Sequence, residues 1–122
     1  MARHRRDRGQ ATVELALALP LICLLLFGIV QVAVLGRSQL AVQLAAREAA
    51  RAAAVAADAA GAGSTAAHRA VTLHPLTVSI SEGADTVTAT VRYTDHTDVP
   101  LIGALLPDIV LTATVTMAVE PP

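Results

Sequence analysis

Residues 15–35 read LALALPLICLLLFGIVQVAVL, with Gln31 the single polar side chain and no charge. As a helix these residues extend roughly 30 Å, the thickness of a bilayer's hydrocarbon core, so the stretch reads as a transmembrane helix. A removable secretory signal is the nearest rival, but its apolar run is usually only about 7 to 15 residues long. No small-x-small cleavage site follows at the right place either. Pro20 removes one backbone hydrogen bond from the helix and presses on the carbonyl of Ala16, so a kink is expected between them. Two readings of Pro20 stand: an ordinary membrane-helix proline, or a point where the helix bends or melts on leaving the bilayer.

The flanks of this run differ in charge. Arg3, Arg5, Arg6 and Arg8 stand against Asp7 before it, whereas five arginines stand against eight acids after Gly36. The arginine cluster is expected to stay cytoplasmic and residues 37–122 to lie outside, with Arg37 weakening the asymmetry slightly. The whole chain of 122 residues carries a net charge of -1, which gives nucleic acid no electrostatic footing as a partner. Hydrophobic residues make up 54%, too many for a disordered tail, while aromatics make up 2%, too few for an aromatic core. Cys23 is the one cysteine, so an exported portion folds without an intrachain disulfide.

Immediately before the apolar run stands Arg8-Gly9-Gln10-Ala11-Thr12-Val13-Glu14-Leu15. A glycine follows a basic leader, and a glutamate follows it five residues later at the mouth of the helix. A carboxylate facing hydrocarbon costs on the order of 2.5 to 3.5 kcal/mol at mid-membrane, so Glu14 needs a reason to be there. It either reaches water at the cytoplasmic interface, or pairs with Arg8, or serves a function.

This arrangement resembles the class III signal of type IV pilins. The resemblance implies that a prepilin peptidase cuts between Gly9 and Gln10, making Glu14 the fifth mature residue, which in that family helps subunits join. A buried carboxylate is relieved by an opposite charge, and the new amino terminus of a neighbouring subunit supplies one. More closely, the chain resembles the TadE-like family, minor pilins or pseudopilins of tight-adherence pilus systems. The likeness rests on RGQATVELALALP, on QLAAREAARAAA after the membrane helix, and on a strand-rich end closing with MAVE. Major pilins of these systems usually carry an aromatic after the glutamate, whereas Leu15 follows here; that and the length of the exported part favour a minor pilin.

Residues 38–60 are alanine-rich and free of glycine and proline, so the helix is expected to continue through them. Leu40, Leu44 and Val55 offer a thin apolar stripe, and Arg47, Glu48 and Arg51 a charged patch. That charged face is either solvated with a local ion pair, or the alanines beside it allow close packing between subunits. Gly61-Ala62-Gly63-Ser64 is expected to stop the helix, with Ser64 capping a short helix over residues 65–72. The dinucleotide-like spacing of these glycines is rejected because a helix, not a strand, precedes it.

Beyond Pro75 the period changes to two. Leu76, Val78 and Ile80, then Val87, Ala89, Val91 and Tyr93, then Ile109, Leu111, Ala113, Val115, Met117 and Val119 alternate with polar residues, many of them threonine. Glu82-Gly83-Ala84-Asp85 reads as the first turn. The expected fold is α+β: a transmembrane helix continuing into an alanine-rich helix packed on a small three-stranded antiparallel sheet. Residues 1–9 form the leader, 10–36 the membrane helix and 37–122 the head. The apolar segment 99–107 either fills the open end of the core or faces a partner.

Chemistry of other kinds is not expected. His4, His68, His74 and His96 lack metal-ligand spacing, and Asp95, His96 and Asp98 read as a solvated acidic loop. No nucleophile elbow or phosphate loop is present, and there is no lysine or asparagine. The chain is therefore expected to be a non-enzyme without metal or cofactor. Membrane lipid, the prepilin peptidase, other pilin and pseudopilin subunits and pilus assembly platform proteins are the implied partners. The alternative is a single-pass, membrane-anchored binding module that keeps its leader and never polymerises.

Overall fold

A computed structural model describes residues 2–95 and 108–120, with side chains from Arg6 onward. Two helices precede three strands: α1 (Ala2–Val55), α2 (Ala59–Ala70), β1 (Leu76–Glu82), β2 (Thr86–Asp95) and β3 (Ile109–Ala118). The chain divides into two compact units, Met1–Leu35 and Gly36–Pro122. The first unit is the N-terminal part of α1. Its helix continues without interruption through Pro20, and its most apolar window is unburied within the chain, long and apolar enough to cross a membrane.

In the second unit the three strands form one antiparallel sheet in the order β1-β2-β3. Its register stacks the apolar positions in rows: Leu76 beside Tyr93 and Tyr93 beside Leu111, then Val78, Val91 and Ala113, then Ile80, Ala89 and Val115. Alternation puts all of these on one face, where Val87, Ala89 and Val91 are fully buried. The opposite face carries threonines in matching rows. Thr88 and Thr116 share a hydroxyl hydrogen bond of 2.9 Å across the strands, and Thr90 and Thr114 one of 3.5 Å. The turn expected at residues 82–85 is closed by Gly83 N donating to Thr86 O at 2.7 Å, and Asp85 O accepts from Val119 N at 2.9 Å. A cis His74–Pro75 bond stands just before β1.

The cover on the apolar face is the C-terminal part of α1, as the sequence leads one to expect, but through different residues. Val42, Ala45, Ala46, Ala49 and Ala50 are fully buried and belong to one core with Leu76, Ala89 and Val91. Leu40, Leu44 and Val55 are exposed instead, which corrects the expected stripe. Alanine lets the helix axis come close to a sheet whose own central side chains are small, so the methyl face packs where leucines would hold the layers apart. The alanines thus pack within this chain.

A second correction concerns the end of α1. It stops at Val55, five residues before the expected end, and α2 begins at Ala59. The carbonyl of Ala54, one of the last four with no partner in the helix, accepts from Glu120 N at 3.3 Å. Asp58 then caps α2: its Oδ1 accepts from Gly61 N at 3.1 Å, and its carbonyl from Ala62 N at 3.1 Å. Gly61, Gly63 and Ser64 consequently lie inside α2, not in a turn. Gly63 has a steric reason to be there, since a Cβ on it would stand 2.7 Å from Ile80 Cδ1 and 3.1 Å from the Ala49 carbonyl oxygen. Its missing side chain lets α2 pass close to both α1 and β1. The segment 99–107 lies outside the described residues, as do His96 and Asp98.

Candidate functional site

Gly9, Gln10, Glu14 and Pro20 all lie on α1 in the first unit, and all four are exposed. The helix runs through the Gly9–Gln10 bond unbroken. Nothing lies within 4 Å of where a Gly9 side chain would start, so that bond is open to approach from outside. Gly9 also makes the helix easier to unwind locally there, because glycine destabilises a helix interior by about 1 kcal/mol relative to alanine.

Thr12 is a participant that the sequence reading passed over. Its Oγ1 donates to the carbonyl of Arg8 at 2.9 Å, one turn back along α1. That carbonyl immediately precedes Gly9, so the hydroxyl bonds into the turn that contains the Gly9–Gln10 bond. Such back-bonding to the residue four earlier competes with the helix's own ladder and often bends it. No local sequence pattern marks it.

Glu14 follows Gln10 by four residues, so the two share a face of the helix. Arg8 is six positions from Glu14, about 240° around the helix, and cannot face it. Glu14 makes no ion pair among the described residues. Pairing with Arg8 is therefore excluded as the reason for its presence, and contact with water or with another chain is left. Further along, Leu24, Leu25, Gly28, Ile29 and Val32 line an apolar groove of about 440 Å³, deepened by the absent side chain of Gly28. Cys23 is free and exposed. Among the described residues no three His, Cys, Asp or Glu side chains are grouped to hold a metal ion.

No curated protein and no solved structure matches the chain. A family model does: residues 9–51 match the family described as TadE-like protein, a span that opens on Gly9, takes in Gln10, Glu14 and Pro20, and ends within the alanine face of α1.

Proposed function

We propose that the chain is a minor pilin, or pseudopilin, of a tight-adherence type IV pilus. It is inserted as a prepilin with its N-terminus cytoplasmic and residues beyond Arg37 extracytoplasmic. The prepilin peptidase cuts between Gly9 and Gln10, and the mature subunit joins other pilin and pseudopilin subunits through the assembly platform proteins, taking part in pilus assembly and adhesion. No catalytic role belongs to this reading. The observation that carries it is the family match to a pilus-associated, pilin-like protein, beginning at Gly9 and containing Glu14 at the fifth position after the cut. The open surroundings of Gly9 and the exposed Glu14 carboxylate support it.

Leader removal tests it. Mass spectrometry of the protein from cells producing the pilus is expected to find Gln10 as the first residue. Gly9→Leu is expected to remain full length and membrane-held, because the peptidase must approach the backbone there. The new side chain meets open space on α1, so loss of cutting would reflect recognition and not misfolding. Wild-type protein that keeps residues 1–9 would overturn the proposal in favour of the uncleaved, membrane-anchored binding module.

A further inference from the structure

A cleft of about 470 Å³ opens in the second unit between the first turns of its part of α1 and the chain leaving α2. Arg37, Ser38 and Leu44 line one side, and Arg69, Thr72 and Leu73 the other. Two arginines therefore border one cavity. Among the described residues neither is in an ion pair, and no acidic side chain lines the cleft. Arg37 follows the last apolar residue of the span, Leu35, by two positions, about 3 Å along the helix. The headgroup layer of a bilayer extends some 5 to 7 Å beyond the hydrocarbon, so a residue this close to the end of the apolar run is within reach of lipid phosphates.

We propose that this cleft binds the phosphate of an anionic membrane phospholipid. Arginine is suited to the task, because its planar fork of N–H donors matches phosphate oxygens two at a time. The hydroxyls of Ser38 and Thr72 add donors, and Leu44 and Leu73 give the cleft apolar walls. One opposing field is present: the C-terminal end of α2, at Ala70, carries roughly half a negative charge. Two full positive charges outweigh it. An anionic headgroup is favoured over a zwitterionic one, since the ammonium of the latter would offset the field that attracts its phosphate.

Native mass spectrometry of the full-length protein in detergent tests this with three probes: phosphatidylglycerol, phosphatidylcholine and inorganic phosphate. Phosphatidylglycerol is expected to be retained, phosphatidylcholine retained less, and inorganic phosphate neither retained nor able to displace the lipid at millimolar concentration. Removing both charges in Arg37→Gln/Arg69→Gln is expected to weaken retention about 30-fold. Arg47→Gln/Arg51→Gln removes the same charge from exposed positions of α1 outside the cleft and is expected to leave retention unchanged. Equal loss in both double variants would reduce the effect to general surface charge and overturn the site. Retention of inorganic phosphate as firmly as the lipid would overturn the lipid assignment. Undiminished binding by Arg37→Gln/Arg69→Gln would overturn both. Neither cleavage nor pilus assembly enters the measurement, so its outcome is separate from that of the pilin reading.

Discussion

Residues 15–35 and residues 38–54 belong to the same helix, yet they use apolar side chains in opposite ways. In the first stretch the large ones stand outside: Leu17 is 75% exposed, Leu21 70% and Phe27 58%. In the second, the small ones stand inside, with Ala45, Ala46, Ala49 and Ala50 at 0%. Size follows the medium each face meets. A lipid tail is as apolar as leucine and fits around any shape, so bulk outside is no liability there. A folded sheet has a fixed surface, and only a side chain that leaves room for the backbone to approach will serve. The first stretch thus offers its apolar surface to a medium outside the chain, whereas the second is covered by its own sheet.

The sharpest way to break that comparison is to place a charge in the first stretch. Leu25→Arg is expected to disfavour insertion by about 3 kcal/mol, read as a loss of carbonate-resistant membrane protein. Retention at wild-type levels would mean that the stretch is not surrounded by lipid. Enlarging an alanine comes next. Ala46→Leu is expected to destabilise the second unit by about 2 kcal/mol, read from denaturant unfolding, whereas Ala33→Leu in the exposed stretch leaves it unaffected. Glu14→Gln is expected to spare insertion and cutting while lowering crosslinking to partner pilins roughly tenfold, since glutamine keeps the shape without the charge. Wild-type crosslinking would show that the carboxylate only reaches water. The smallest effect is expected from Gly63→Ala. Overpacking against Ile80 and the Ala49 carbonyl costs about 2 kcal/mol, and helix propensity returns about 1, leaving a net destabilisation of about 1 kcal/mol by unfolding.

What was legible in the sequence follows from the same contrast. The uncharged run 15–35 and the alternation in all three strands are patterns of residue type against position, and the strands formed with those apolar faces inward. The family resemblance around Gly9 and Glu14 was legible too, because it is a local string, and the family match begins at that glycine. The covering face of α1 was not. Hydropathy ranks leucine above alanine, so Leu40 and Leu44 drew the eye, while the choice actually made depends on the distance between two layers, which no single segment encodes. The ends of the helices were missed for a related reason. Gly61 and Gly63 look like terminators until Ile80 and Ala49 are brought beside Gly63 in space. The bond from Glu120 to Ala54 joins residues far apart in the sequence and leaves no local trace. Thr12 was overlooked because a threonine in a helix has no signature until its hydroxyl is seen to turn back on Arg8.

The alanine face also determines how this protein would respond to the commonest mutational survey. An alanine scan probes a core by truncation, and at Ala45, Ala46, Ala49, Ala50, Ala53 and Ala54 there is nothing to truncate. Such a scan would register Leu76, Val87 and Val91 on the strands and Val42 alone on α1. The rest of the helix face that covers the sheet would pass as tolerant. Only a survey that adds atoms, replacing each position by valine, leucine or phenylalanine, would reveal it. In random mutagenesis most substitutions at these sites are enlargements, so this segment would tolerate fewer changes than its bland composition suggests.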